Sequence, residues 1–128
     1  MYSSSVLDHF RAPRGAGVLE GANARGRAQN PGCGDDVELS LKVEDGRVVE
    51  ARFRASGCVA AIACASRTTE LVRGMSLVEA LAVDAGRLSA ELEGLPPQSR
   101  HAAKICVRAL RAALCGAPAV PRANSVLF

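Results

Sequence analysis

Three residues of this 128-residue chain, Cys33, Asp35 and Cys58, combine types and positions that can hold a metal. Cys33 stands between two glycines in Asn30-Pro31-Gly32-Cys33-Gly34-Asp35, where the backbone is open to close approach. A free thiol in such a turn has little packing value; the alternative is a plain turn residue ahead of a strand. Asp35, two residues on, projects to the side of Cys33 if the backbone is extended. A thiolate and a carboxylate make a workable ligand pair, although Asp35 alone reads as a turn or cap residue. Cys58 falls where a predicted strand gives way to a helix. The partial positive charge of a helix N-terminus lowers a thiol's pKa, which makes Cys58 either a nucleophile or ligand, or a small buried residue at the junction. His101 lies in the first turns of the last predicted helix, where a lone histidine is more often a surface or satisfied core residue than a ligand.

The remaining cysteines carry less. Cys64 is six residues beyond Cys58, about 240° around the helix, and is expected in the core. Cys115 ends the last helix and is expected to be incidental. His9 reads as a surface or satisfied core histidine. An odd number of cysteines, five in all, cannot all pair internally. There is no C-x-x-C, which argues against a thioredoxin-type dithiol and a zinc ribbon. No Ser/His/Asp or paired-carboxylate pattern stands out, and a Cys58/His101 thiol protease lacks a third-residue or oxyanion signature. The expectation is a protein that is not an enzyme.

The elements that must position these residues follow from periodicity. Residues 2–11 read as a short helix stopped by Pro13, and 12–34, with six glycines and two prolines, as a long loop, functional or partly extended. Residues 36–43 alternate as a half-buried strand. Asp45-Gly46 marks a hairpin turn, and 48–55 returns with Val49, Ala51, Phe53 and Ala55 on one face. Gly57-Cys58 opens a helix to about Arg73, ended by Gly74. Ser76-Leu77-Val78-Glu79 is a capping box, and 84–94 a further short helix and turn. Leu95-Pro96-Pro97 begins the last helix, whose stripe is Ala102, Ile105, Ala109, Leu110 and Ala113. The chain is thus expected as one domain over 1–115 with a flexible tail over 116–128.

Composition narrows the partners. Apolar residues make up 48% and charged residues 23%, which suits a folded, soluble domain. There is no membrane-length apolar run and no secretory-type N-terminus, so a cytoplasmic location is expected. Arginine supplies 14 of the 16 basic residues, net charge is only +3, and Trp is absent with one Tyr and three Phe. Neither charge nor aromatic content favours nucleic acid.

With Cys33, Asp35, Cys58 and His101 in view, the chain resembles the NifU/IscU family of iron–sulfur cluster scaffold proteins from about Tyr2 to Leu114. The resemblance rests on Asp8-His9-Phe10-Arg11-Ala12-Pro13-Arg14, Asn30-Pro31-Gly32-Cys33-Gly34-Asp35, the block Ser56-Gly57-Cys58 to Thr69-Glu70-Leu71-Val72-Arg73-Gly74, and Leu95-Pro96-Pro97 with His101. It implies an α+β fold, a small antiparallel sheet of about three strands packed on several helices. It also implies a transient [2Fe–2S] cluster or iron held by Cys33, Asp35, Cys58 and His101, sulfur supplied by a cysteine desulfurase, and apo iron–sulfur proteins as recipients.

Three departures qualify it. The family's third cysteine follows the histidine, and Ala102 stands there. Cys106 is one turn later, about 40° around the helix and some 6 Å along it; it either replaces the missing ligand after a helix shift or belongs to the apolar stripe. Leu95-Pro96-Pro97-Gln98-Ser99 keeps only the first three residues of the Leu-Pro-Pro-Val-Lys segment that an Hsp70-type chaperone recognises in many IscU-like members. The 44 residues from Cys58 to Ala102 suit the IscU-like branch, while the Asn-Pro-Gly-Cys-Gly-Asp piece looks more like SufU. Two other functions fit the same residues: a zinc-bound sulfur acceptor that activates a desulfurase, and a metal-free relative that binds a partner protein.

Overall fold

The computed structural model describes residues 2–30, 32 and 34–117. Cys33 and residues 118–128 of the expected tail lie outside the described residues. The elements are α1 (Ser4–Arg11), β1 (Ala24–Asn30), β2 (Asp35–Glu44), β3 (Arg47–Ser56), α2 (Val59–Val72), α3 (Leu77–Leu81), α4 (Ala85–Glu91), a 3-10 turn (Pro97–Ser99) and α5 (Arg100–Cys115). The strands form one antiparallel sheet in the order β1-β2-β3. This is the α+β architecture expected, with a sheet of three strands packed on helices.

The first strand corrects the reading of 12–34 as a loop. Ala24, Gly26 and Ala28 face inward while Arg25, Arg27 and Gln29 face out. The alternation is real, but its inner positions are small instead of bulky. Gly26 explains why: a Cβ there would run into the backbone of Ala109 and Ala113 on α5. The strand is thin so that the helix can lie directly on it.

The hairpin between β2 and β3 turns through Asp45 (φ 53°) and Gly46 (φ 74°), the two successive positive φ values of a type I′ turn. Beyond it the register shifts at Lys42/Val43, so that Val43 pairs with Val48 and Lys42 with Glu50. Val49 is therefore extruded and exposed, which corrects its expected place beside Ala51 and Phe53. Past the shift the alternation holds.

Val37, Leu39, Leu41 and Val43 of β2 are buried with Ala51 and Phe53 of β3. Against them lie α5, over β1 and β2, and α2, over β3 and β2. Many of the buried residues on these helices are short-chained: Ala60, Ala61 and Cys64 on α2, and Ala102, Cys106, Ala109 and Ala113 on α5. The abundance of alanine thus serves close helix–sheet contact. The capping box at Ser76/Glu79 is formed as expected, and the prolines give a 3-10 turn before α5 begins.

The segment Asp8–Arg14, the last turn of α1 and the residues after it, straps α1 to α2. His9 is buried, with Nδ1 2.8 Å from Ser66 Oγ and Nε2 3.6 Å from Glu70 Oε1. Ser66 Oγ also accepts the Arg14 N–H at 2.7 Å. The result is a Glu70–His9–Ser66 line, but Ser66 is fully buried, and its hydroxyl is a tie between elements, not an exposed nucleophile. Burial pushes the His9 pKa down, assisted by the nearby Arg14. No helix among the described residues is long and apolar enough to cross a membrane.

Candidate metal centre

Three of the sequence-predicted ligands meet at one end of the sheet. One ligand atom each from Asp35, Cys58 and His101 lies within 4.8 Å of the other two, the one such group among the described residues. Asp35 is the first residue of β2 and faces the core side with Val37. Cys58 is the N-cap of α2, and its Sγ accepts the Ala61 N–H at 3.4 Å. His101 is the second residue of α5. Side chains from two helix N-termini therefore meet one carboxylate.

Asp35 is the hub. Its carboxylate is fully buried while the imidazole of His101 remains 30% exposed. Oδ1 accepts the Cys58 N–H at 2.9 Å. Oδ2 lies 3.6 Å from Cys58 Sγ and 3.0 Å from His101 Nε2. A buried carboxylate needs partners of this kind to stay in place. Gly57 makes room for it: its φ is 130°, and an added Cβ would collide with Asp35 Oδ1. Reading the sequence for donors alone passes over Gly57, although its place directly before Cys58 at a strand–helix junction is a usable signal.

The thiol corrects one expectation. The backbone N–H groups of Ala61 and Ala60 do pull the Cys58 pKa down, as a helix N-terminus should. Burial outweighs them and the neighbouring Asp35 charge adds to it, so the net shift is upward. Without a cation Cys58 is a thiol. A bound cation inverts that balance by supplying the charge that the thiolate needs.

The other candidates are elsewhere. Ala102 is buried and has no donor atom. Cys106 is fully buried, with its Sγ 3.9 Å from the Ala61 carbonyl oxygen, and it stands outside the Asp35–Cys58–His101 group. Its neighbour Cys64 and full burial push its thiol far up. Cys64 is in the core, as expected, and Cys115 is exposed.

A carboxylate oxygen, a thiol sulfur and an imidazole nitrogen at these separations fit a metal that takes mixed O, S and N donors, such as iron or zinc. Fold and site together define a small α+β domain with a candidate metal centre at the strand–helix end. The chain belongs to the NifU-like N-terminal domain family, whose model matches residues 1–119. It is 40% identical over 114 residues to the iron–sulfur cluster assembly scaffold protein IscU 1 of Archaeoglobus fulgidus, covering 89% of this chain and 74% of that one. It is 39% identical over 117 residues to the scaffold protein IscU of Escherichia coli K12, covering 88% and 91%. In fold it matches a crystal structure from Fervidobacterium islandicum, described as a candidate iron–sulfur cluster assembly scaffold of the SUF system. The TM-score is 0.74 at 21% identity, over 88% of this chain and 96% of that one.

Proposed function

We propose that this protein is an iron–sulfur cluster assembly scaffold that holds a [2Fe–2S] cluster transiently and passes it on. The observation that carries the reading is the convergence of Asp35, Cys58 and His101 in a chain about 40% identical to IscU scaffolds. Cys33, two residues before Asp35 in sequence, completes the proposed ligand set. The sulfur comes from a cysteine desulfurase, and the recipients are apo iron–sulfur proteins. An Hsp70-type chaperone is a weaker expectation, because Gln98 and Ser99 end the match to the chaperone segment. The protein itself turns over no substrate in this reading. Its free thiols suit a reducing compartment such as the cytoplasm.

The site's chemistry suits release as well as capture. Oxygen or nitrogen donors in place of thiolates change a cluster's potential and the hold on its iron. When Cys58 takes the metal it gives up its proton, because the thiolate is the form that binds. The 30% exposure of His101 leaves the site open to a partner on that side. Cys106 enters the set only if α5 shifts to bring its sulfur out of the core.

The test is anaerobic reconstitution with iron and sulfide followed by mixing with an apo-ferredoxin. The chain should develop visible charge-transfer absorption and lose it as the ferredoxin gains its own. A chromophore that never leaves, or never forms, contradicts the reading. Cys106→Ala should keep the chromophore; its loss would give the third sulfur to Cys106.

The donor set favours one second reading. Two thiolates, one carboxylate and one imidazole, with Ala102 adding nothing, make a four-ligand set of the kind zinc closes on. In that reading the protein is a zinc-bound sulfur acceptor, and one zinc per chain with faster desulfurase turnover and no chromophore identifies it. A chain that binds no metal at all, with Cys33→Ala and Cys58→Ala unchanged in every assay, identifies the metal-free interaction protein instead.

A further inference from the structure

All the helices that cover the sheet use its inner face, and the outer face carries an ordered set of charges. The register fixes it. Arg27, Glu38 and Arg54 lie side by side across β1, β2 and β3, and Arg25, Ser40 and Arg52 form the next row. Strands are about 4.8 Å apart and alternate residues about 7 Å. The four arginines therefore stand near the corners of a rectangle of roughly 7 by 10 Å, with Glu38 and Ser40 along its midline.

Arg27 is held by Asp36 through two hydrogen bonds, of 2.9 and 2.6 Å. No ion pair or hydrogen bond among the described residues engages the guanidinium of Arg25, Arg52 or Arg54, or the carboxylate of Glu38. An open cleft of about 350 Å³ runs between Arg27, Glu38 and Arg54 and reaches Ser56, two residues before Cys58.

We infer that this outer sheet face is a docking surface for an acidic segment of a partner protein, one that sets carboxylates on the arginines and a cation on Glu38. Charge complementarity chooses the occupant. Three guanidinium groups that make no hydrogen bond or close ion pair, Arg52 feeling only the charge of Glu50, are forks for carboxylates. Phosphate would serve them equally, but Glu38, whose carboxylate makes no hydrogen bond and feels only the charge of Arg27 beside it, sits in the middle of one row, and Asp36 lies at the end of the face. A polypeptide can place a lysine opposite Glu38; a phosphodiester chain cannot, and it meets repulsion there. The face has no aromatic side chain on which a base would stack. Because the cleft ends beside Ser56, a docked partner lies next to the metal centre. The inference does not depend on what that centre carries.

The probe is a helical peptide with glutamates at i and i+7 around a lysine at i+4 on one face, about 10 Å from end to end. It is titrated into the isotope-labelled full chain at low ionic strength, where surface charges are least screened, and followed by amide chemical shifts. Shifts should centre on residues 25–27, 38–40 and 52–54. Its glutamine version should bind at least about tenfold more weakly, and so should Arg25→Glu/Arg54→Glu, two exposed positions. Arg108→Glu, exposed on α5, should change affinity less than about twofold. A single-stranded DNA oligonucleotide should bind this face more weakly than the peptide, and Glu38→Gln should narrow that gap.

Equal losses in Arg108→Glu and the double variant would reduce the effect to net charge and overturn the inference. So would shifts elsewhere, a DNA oligonucleotide that binds the face as tightly as the peptide, or no shifts at about 1 mM peptide. If the double variant unfolds, the glutamate-to-glutamine comparison on the wild-type chain decides the matter alone.

Discussion

Gly57 determines whether Asp35 can occupy its buried position. Its backbone is in a region that side chains avoid, and the space where a Cβ would stand is taken by Asp35 Oδ1. Gly57→Ala should therefore cost about 1–3 kcal/mol, read as a lower denaturant midpoint at unchanged slope, and should weaken metal loading by moving the carboxylate. An unchanged midpoint would show that the contact is slack. Asp35 and Cys58 are legible from residue type and neighbourhood and His101 only through the family resemblance, and the three do meet. The state of the Cys58 thiol was not legible. A helix N-terminus can be read from a sequence, whereas the burial that outweighs it depends on how β2, α2 and α5 close around the sulfur. Cys106 shows the same limit, since helical angle alone left it open between ligand and core, and packing against Ala61 and Cys64 sets where its sulfur lies.

At the scale of elements, β1 is the informative failure. Strands are recognised by branched or aromatic residues on one face, and Ala24, Gly26 and Ala28 offer none. The reason lies across the interface, in the backbone of α5, and is invisible in the strand's own residues. Gly26→Val should overpack that contact and destabilise the fold by about 1–3 kcal/mol or more, measured by urea unfolding. A variant as stable as the wild type would mean that α5 can move away freely. Elements with local signals, such as the Asp45-Gly46 turn and the Ser76/Glu79 capping box, were legible because their chemistry is contained in three or four residues.

The strap between α1 and α2 carries a pH dependence. Burial lowers the His9 pKa, so the folded chain holds it neutral. As pH falls below the ordinary histidine value of about 6.5, the unfolded chain takes up a proton that the folded one refuses. Stability is thus fully present above that value and declines below it. His9→Gln should flatten the slope of unfolding free energy against pH between about 5 and 7, above the range in which the paired carboxylates titrate. An identical slope in the variant would assign the dependence to another group.

Over the whole molecule, one layer of small-residue helices on one sheet face leaves two exposed regions with separate chemistry. The strand–helix end gathers the donors, and the outer face displays the arginines. The family was legible because its motifs recur in order over nearly the entire chain, and the match over residues 1–119 agrees with that reading. The charged rows of the outer face were not, because the scatter of arginines along the sequence becomes a pattern only through the β1-β2-β3 register. The most direct test of the account is elemental analysis with visible spectroscopy on chain reconstituted under anaerobic conditions, wild type beside Cys58→Ala. The wild type should carry iron and acid-labile sulfide in equal amounts with sulfur-to-iron charge-transfer bands, and Cys58→Ala should carry neither. A wild type without iron, or a Cys58→Ala chain loaded as fully as the wild type, would contradict it.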